Sequence, residues 1–276
     1  MDGMQLPAAA ALTARYGAGV EPKIGPWNDT MALLLSHRSV RGYRPDALPE
    51  GTLESLIAAA QSAATSSNLQ TWSVVAVNDP EKRKALAEIA GGQRHIEQCP
   101  IFLVFIADVS RNERLGQQEG VYLAGMPFLE TFLVAAIDAG LAAQNAVVAA
   151  ESMGLATLYI GALRNDVPRV ASMLGLPPGA APVFGLCVGY AAPGKESAVK
   201  PRLSQEAVLH HETYSTTKEK ALRASYDEKL SEYSKRYEMA ADNWSQRVIS
   251  RIGSISALRG RDGLKAALRS LGFPLK

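Results

Sequence analysis

The sequence predicts a globular protein that combines buried β-strands with amphipathic helices, and three stretches of the chain carry this prediction. Residues 101–107 are apolar at every position, which indicates a central strand with helices packed on both faces. Residues 128–153 read as a long Ala-rich helix that is apolar around most of its circumference and is therefore buried in a core or in a subunit interface. Residues 182–190 form a further strand with two glycines, which predicts close backbone packing there.

Helices are predicted where apolar residues recur at helical spacing or where capping residues stand at the boundaries. Apolar residues at 53, 56, 57 and 60 predict a helix over about 49–64, which Thr65 to Asn68 then break. The other predicted helices are 30–36 with a cap from Asn28 or Asp29, 81–90 ending at Gly91 and Gly92, 166–174 with Pro168 in its first turn, and 217–237.

Strands are predicted where β-branched and aromatic residues form short runs between turn residues. Besides the two strands named above, these runs are 72–77, which an Asn-Asp-Pro turn closes, and 155–160. Residues 1–28 are rich in Ala, Gly and Pro without a sustained period, and we expect a surface extension there.

Composition excludes several classes of protein. The chain has 276 residues, of which 47% are hydrophobic and 20% are charged, and its net charge is +2, so we expect no nucleic-acid partner and no anionic membrane. Its two cysteines, Cys99 and Cys187, lie in or beside apolar runs and are expected to be reduced core residues of a cytoplasmic protein. Glu130, Asp138 and Glu151 interrupt the longest apolar stretch, so we expect no membrane span, and the first residues lack a secretory signal.

Charge is concentrated at the end of the chain. Residues 215–276 contain 13 Lys and Arg against 7 Asp and Glu, so this part is basic while the remainder is slightly acidic. The predicted helix over 217–237 is too polar for a core element. Two interpretations remain open for this arm: a solvated helix that packs on a partner subunit, or a segment that binds phosphate.

The common catalytic signatures are missing: no G-x-S-x-G, H-E-x-x-H, Walker or Rossmann glycine motif occurs, and His210-His211 reads as a surface pair without further metal ligands. Polar residues instead form five short clusters, each of which could also be an ordinary turn. The clusters are His37-Arg38-Ser39-Val40-Arg41, Thr65 to Gln70, Gly91-Gly92-Gln93, Tyr159 to Asn165, and Lys200-Pro201-Arg202. Arginine forks and hydroxyls suit a phosphate, and a cofactor that brings its own reactivity needs no acid–base pair.

The order of these motifs resembles the nitroreductase superfamily, and within it the branch of oxygen-insensitive NADPH nitroreductases and NADPH:flavin oxidoreductases. The resemblance covers about residues 29–276 and includes A-Q-N-A-x-x-A-A-E-S-x-G-L before the Tyr159 cluster and F-G-L-C-x-G after it. It implies an α+β fold with a mainly antiparallel sheet flanked by helices, in an intertwined homodimer. Residues 1–28 are then an N-terminal extension, 29–210 an FMN-binding core, and 211–276 a C-terminal helical arm packing on the partner subunit.

The resemblance also implies a set of residues that bind FMN. His37, Arg38, Ser39 and Arg41 match the first FMN motif, and Arg202 matches a cation on the phosphate side. The other matching residues are Thr65 and Ser67, then Gln93 and Lys200 around the pyrimidine edge, and Tyr159, Ile160, Gly161 and Ala162 in the loop near N5. Thr65 and Ala162 depart from the Ser and the Gly that are common there.

The activity implied is FMN-dependent reduction of nitroaromatics, quinones or free flavin by NADPH, in a ping-pong cycle of two-electron hydride transfer. No catalytic side chain is needed, and Lys200 and Arg41 are expected to stabilise the negative charge of the reduced flavin. Lys235, Arg236 and Arg247 are candidates for binding the NADPH phosphate, and none of them is assigned. Two alternatives stay open: a flavin reductase that supplies reduced FMN to a partner enzyme, and a non-catalytic nucleotide-binding protein.

Overall fold

The structure is a computed structural model that describes residues 7–19, 21–195, 197–239 and 243–276. The chain folds as two compact units. The first unit comprises the described residues of 1–38 and 197–257, and the second unit comprises those of 39–196 and 258–276. The boundary between Arg38 and Ser39 falls inside the H-R-S-x-R motif, and the division by function at residues 28 and 210 stays a prediction.

Helices occur in both units. Those of the first unit are α1 (Ala8–Tyr16), α2 (Asp29–Ser36), α9 (Glu219–Arg236) and α10 (Trp244–Ile252). Those of the second unit are α3 (Thr52–Gln61), α4 (Pro80–Ile89), α5 (His95–Gln98), α6 (Ser110–Gln118), α7 (Leu129–Ser152), α8 (Val167–Leu174) and α11 (Leu264–Ser270). The six helices predicted from the sequence are confirmed with boundaries shifted by a few residues. Among the described residues, five further helices were not predicted. Two of them lack a clear signal, because α5 is four residues long and α6 has no sustained apolar period.

The second unit is built on a four-stranded antiparallel sheet, which confirms the α+β class. Its strands are β1 (Trp72–Ala76), β2 (Ile101–Asp108), β3 (Ala156–Ile160) and β4 (Ala180–Gly189), in the spatial order β1-β2-β4-β3. All four strands agree with the sequence prediction.

Both faces of β2 are buried, as its apolar composition predicts. Phe102, Val104 and Ile106 belong to one hydrophobic cluster. Leu103 and Phe105, which point to the opposite face, belong to a second cluster that includes the alanines of α7. The sheet therefore carries a packed layer on each side.

Helix α7 packs its alanine face on the sheet and on α3. Its buried residues are Ala135, Asp138, Ala139, Ala142, Ala143, Ala146, Val147 and Ala150. By length and composition alone α7 could cross a membrane, but the buried face is packed in the protein like that of a core helix. The opposite face leaves Leu129, Leu133, Ile137 and Leu141 exposed at intervals of four residues.

The glycines of β4 are required by close packing, as the sequence predicts. A Cβ atom at Gly185 would lie 2.6 Å from the ring of Phe102, and one at Gly189 would lie 2.4 Å from Pro100. Cys99 and Cys187 are both free and buried, in agreement with their prediction as core residues. Burial raises the pKa of the Cys187 thiol, whereas a hydrogen bond with Cys187 lowers the pKa of Cys99.

Within residues 1–28, where a surface extension is expected, residues 8–16 form the helix α1, which was not predicted from the sequence. Four consecutive alanines followed by Leu12 supply high helix propensity. Ala11, Leu12 and Arg15 are buried, so α1 packs against the rest of the first unit. Residues 8–16 therefore pack as part of that unit.

Candidate functional site

In the first unit, Arg15 joins two of the predicted site clusters. Its guanidinium donates hydrogen bonds to the carbonyls of Leu35 (2.7 Å), His37 (3.1 Å) and Lys200 (2.9 Å). The backbone N–H of Arg202 donates to the carbonyl of Arg15 at 2.9 Å. The start of the H-R-S-x-R motif and the Lys-Pro-Arg motif, separated by more than 160 residues of sequence, are thus held by one side chain.

Two tyrosines of α9 fix the same segment from another side. The Tyr226 hydroxyl donates to the carbonyl of Pro201 and the Tyr233 hydroxyl donates to the carbonyl of Ala198, both at 2.9 Å. Burial raises the pKa of Tyr226, and the charges of Arg202, Arg247 and Arg15 lower it in part. Arg202 keeps an exposed side chain on a backbone that is held at several points.

In the second unit, the chain from Ser39 to Tyr43 lies along the sheet. Ser39 forms an isolated parallel bridge with Thr157 on β3, and the N–H of Val40 donates to the carbonyl of Thr157 at 3.1 Å. Tyr43 is buried, and its hydroxyl donates to the carbonyl of Val40 at 3.1 Å. These bonds fix the backbone on both sides of Arg41, whose side chain is exposed.

Gln93 is held by its own segment of chain. Its Nε2 donates to the carbonyl of Ala90 at 2.9 Å, and its Oε1 lies 2.9 Å from Nε2 of His95. Because the Gln93 oxygen can only accept, His95 must carry its proton on Nε2. Burial lowers the pKa of His95, and the charge of Arg41 lowers it further.

The Tyr159 cluster lies where β3 ends and a 3₁₀ helix begins at Gly161. The Tyr159 hydroxyl donates to Oε1 of Gln144 at 3.3 Å, and burial raises the Tyr159 pKa. Ile160 is buried at the strand end. Gly161 is the first residue of the helix, so its N–H has no partner within that helix, and a Cβ there would crowd the guanidinium of Arg164 at 3.3 Å. Ala162 is partly buried and packs against the hydrophobic cluster that contains Ile160 and Leu163.

The segment from Thr65 to Thr71 is held in an unusual conformation by α7. Ser67, Asn68 and Gln70 all have positive φ angles, near 50°, which non-glycine residues rarely adopt. The carboxylate of Asp138 on α7 is almost fully buried and accepts bonds from the Ser66 N–H (3.1 Å) and the Thr71 hydroxyl (2.9 Å). Such strain persists only where the surroundings enforce it, and it is concentrated at functional sites.

A cavity of about 300 Å³ lies beside this segment. Its lining includes Thr65, Asn68, Gln70, Trp72 and Arg111. Arg111 donates to the carbonyl of Gln70 at 3.2 Å, so the far end of the loop is also tied to α6. The cavity thus presents amide, hydroxyl and cationic groups on a constrained backbone.

The structure accordingly places the predicted residues in one group in each unit and on one further loop. In the first unit, His37, Lys200 and Arg202 share the contacts of Arg15, and Arg38 adjoins His37. In the second unit, Ser39 bridges to Thr157, two residues before Tyr159 on β3, and Arg41 follows on the same segment as Ser39. Gln93 is held by its own segment of chain. Thr65 and Ser67 lie on a separate loop against α7.

Sequence reasoning missed three residues that organise these groups. Arg15 lies in a segment that was read as a surface extension, although its alanines are typical of a helix. Asp138 was read only as an interruption of an apolar run, yet a carboxylate on the alanine face of a core helix needs hydrogen-bond donors. His95 follows Gln93 by two residues, and no signal in the sequence pointed to it.

A further cavity, of about 520 Å³, lies in the first unit between residues 203–223 and Trp244. Its lining contains none of the residues predicted to bind FMN. His210 stacks on Tyr214 with ring centroids 4.1 Å apart and accepts a bond from the Ser215 N–H at 3.4 Å. Within the described ranges, no group of three or more His, Cys, Asp or Glu could hold a metal ion.

Known proteins resemble this chain over most of its length. The chain is 39% identical over 209 residues to an FMN reductase (NADPH) of Bacillus subtilis, covering 75% of this chain and 83% of that protein. It is 38% identical over 221 residues to an oxygen-insensitive NADPH nitroreductase of Salmonella typhimurium, covering 79% and 89%. The solved structure of an NADPH:FMN oxidoreductase from Vibrio harveyi, complexed with NAD+, superposes with a TM-score of 0.80 at 34% identity and covers 90% of this chain and 100% of that one.

Family models give the same result. The model of the nitroreductase family matches residues 34–190, and the model of the C-terminal domain of that family matches residues 200–276. The first match alone spans more than half of the chain. The two relatives named above are each more than 30% identical to this chain over the aligned residues. The chain belongs to the nitroreductase family.

Proposed function

We propose that this chain is an FMN-dependent NADPH oxidoreductase that reduces nitroaromatics, quinones or free flavin in a ping-pong cycle. The relatives named as an FMN reductase, an NADPH nitroreductase and an NADPH-flavin oxidoreductase support this activity. The observation that carries it in the structure is the set of contacts made by Arg15, which gather His37 with the Lys200–Arg202 segment.

The donor groups of the described residues fit FMN. Arg38, Arg41 and Arg202 are exposed residues. The guanidinium forks of arginine suit a phosphate dianion, and Ser39 would be an additional donor. Gln93 keeps one N–H beyond its bond to Ala90, which suits the polar edge of a heterocycle. The proposed binding set is His37, Arg38, Ser39, Arg41, Thr65, Ser67, Gln93, Tyr159, Ile160, Gly161, Ala162, Lys200 and Arg202.

FMN, when bound, supplies the redox chemistry by taking up two electrons from NADPH and passing them to the acceptor. The chain contributes position and charge. Lys200 and Arg41 stabilise negative charge that develops on the pyrimidine side, and the N–H of Gly161, at the first position of its 3₁₀ helix, orients a ring acceptor. No side chain needs to transfer a proton in this scheme.

The active species is a homodimer in this proposal. The exposed stripe of Leu129, Leu133, Ile137 and Leu141 on α7 is a contiguous apolar surface of the kind that forms interfaces between subunits. Residues 211–276 are the arm that packs on the partner subunit, with residues 29–210 as the FMN-binding core. The substrates are small molecules, neither nucleic acid nor membrane is a partner, and the buried free thiols suit a cytoplasmic location.

Purified protein tests the proposal directly. We expect visible flavin absorbance, release of FMN on denaturation, and anaerobic loss of colour on addition of NADPH. Turnover with NADPH and NADH against a nitroaromatic, a quinone and free FMN ranks the donors and acceptors. A marked preference for free FMN would indicate a flavin reductase that serves a partner enzyme, as the name of the Bacillus relative suggests. Colourless protein that takes up no FMN would contradict the proposal and favour a non-catalytic nucleotide-binding protein.

A further inference from the structure

Helix α1 lies outside the part of the chain that the family models match, which begins at residue 34. It nevertheless supplies Arg15, which is only 6% exposed. Ala11 and Leu12 are also buried, and the Thr13 hydroxyl donates to the Glu21 carboxylate at 2.6 Å. The helix is therefore packed in place, and Arg15 points into the first unit.

Three hydrogen bonds of the Arg15 guanidinium go to main-chain carbonyls. One terminal nitrogen donates to Lys200, and the other donates to both Leu35 and His37. The carbonyl of Arg15 in turn accepts the N–H of Arg202. A planar guanidinium can satisfy several acceptors in fixed directions, whereas the ammonium of a lysine cannot reproduce that fork.

These contacts are made to the backbone of the bonded residues and fix its position. His37, Lys200 and Arg202 are three of the residues assigned to FMN in the proposed function. The two segments that carry these residues are far apart in sequence. Their relative position is therefore set by contacts with other parts of the fold, among them α1. The Arg15 side chain bonds to both segments.

We propose that Arg15 is a positioning residue that aligns the His37 and Lys200–Arg202 segments for binding of the FMN phosphate. This inference rests on the proposed function. It assigns a role in cofactor binding to an N-terminal helix that the family models do not include. Arg15 itself does not touch the cofactor in this scheme and acts only through the two backbones.

The test compares FMN with riboflavin, which lacks the phosphate. Apo-protein of the wild type, Arg15→Ala and Arg15→Lys is titrated with each flavin, and quenching of flavin fluorescence gives both dissociation constants. We expect Arg15→Ala to raise the dissociation constant for FMN by about tenfold or more, because the loss of a few bonds from a charged donor misplaces the phosphate cations. The value for riboflavin should change much less. Arg15→Lys should fall between the wild type and Arg15→Ala.

Two controls separate positioning from general destabilisation. Leu230→Ala removes a buried side chain from α9 of the same unit, and should lower the melting temperature while leaving the ratio of the two dissociation constants unchanged. Arg202→Ala removes a proposed phosphate ligand and should reproduce the selective loss of FMN affinity.

Equal losses for FMN and riboflavin in Arg15→Ala, or wild-type affinities in both Arg15 variants, would overturn the inference. Should Arg15→Ala fail to fold, Arg15→Lys decides the question, since unchanged FMN affinity there would contradict the role of the fork. A wild-type protein that binds neither flavin would instead refute the proposed function.

Discussion

The Thr71 hydroxyl donates a 2.9 Å hydrogen bond to the buried carboxylate of Asp138. The same carboxylate accepts the N–H of Ser66 at 3.1 Å, so both ends of the 66–71 segment are tied to one residue of α7. Between these ties, Ser67, Asn68 and Gln70 adopt left-handed conformations that cost free energy. The loop that carries the predicted FMN ligand Ser67, and that follows the predicted ligand Thr65, is therefore held by the core helix.

Replacing Asp138 by Asn should loosen this loop. The amide keeps one acceptor but places an NH₂ group against the N–H of Ser66 or the donors of Thr71. We expect the free energy of unfolding to fall by about 2 kcal/mol, the range for a bond to a buried charged acceptor. Urea denaturation measures the loss, and hydrogen exchange should accelerate at the amides of Ser66 and Thr71.

The matched pair Thr71→Val and Thr71→Ser isolates one of these bonds. Valine keeps the shape but removes the hydroxyl, so it should destabilise, whereas serine keeps the donor and should behave more like the wild type. Unchanged exchange at Ser66 in Asp138→Asn would contradict the tether.

Substitution of Arg41 by Ala should give largely flavin-free protein. The reason is the position of Arg41 in the predicted phosphate-binding cluster, on a backbone held by Val40 and Tyr43. The ratio of FMN to protein after dialysis measures the effect. Arg44→Ala is the control, because Arg44 lies in the same segment but pairs with Asp46 and stacks on Tyr190. Stoichiometric FMN in Arg41→Ala after dialysis would count against the assignment.

Acid should weaken the fold through His95. Burial and the charge of Arg41 lower its pKa in the folded state, so the unfolded chain binds the proton more tightly. The stabilising effect is complete above the unfolded pKa of about 6.5 and is lost as the pH falls through the folded pKa. Urea midpoints measured between neutral pH and pH ~5 should fall less in His95→Gln than in the wild type. Parallel curves for the two proteins would contradict the shift.

Gly185→Ala should destabilise the second unit by about 1–3 kcal/mol, the usual cost of overpacking. The new Cβ would lie 2.6 Å from the Phe102 ring and 3.2 Å from Leu163. Gly263→Ala is the control, since nothing lies within 4 Å of a Cβ there. Thermal unfolding should give a lower melting temperature for Gly185→Ala than for Gly263→Ala. Equal melting temperatures would contradict the prediction, because they would show that the core accommodates the added methyl group.

Charge on the apolar stripe of α7 should dissociate the proposed dimer. Leu133→Glu and Ile137→Glu place carboxylates in an interface that excludes water, whereas Leu115→Glu changes an exposed leucine of α6 and serves as the control. Light scattering after size exclusion gives the molar mass. A wild-type monomer, or a dimer that persists in both stripe variants, would refute this interface.

Much of the fold was predictable because its signals are local. The apolar run of β2, the capping residue Asn28 of α2 and the glycines of β4 each act through neighbouring residues or through simple burial. Asn28 indeed accepts the N–H of Met31 at 2.9 Å. The helix α1 had the same kind of local signal in its alanines, but the surrounding Gly and Pro residues obscured it.

The sequence by itself determined the strands, most helices, the family and the residue types proposed to bind FMN, because periodicity and motif order are properties of the linear chain. The tertiary structure alone decided that Arg15 joins His37 to Lys200, that Asp138 holds the strained loop, and that His95 fixes Gln93. Arg15 and Asp138 join residues distant in sequence, and His95 acts through the geometry of a turn. A polar side chain can hold the backbone of a site only where folding brings donors or acceptors within about 3 Å of it. The linear sequence does not show which donors and acceptors these are.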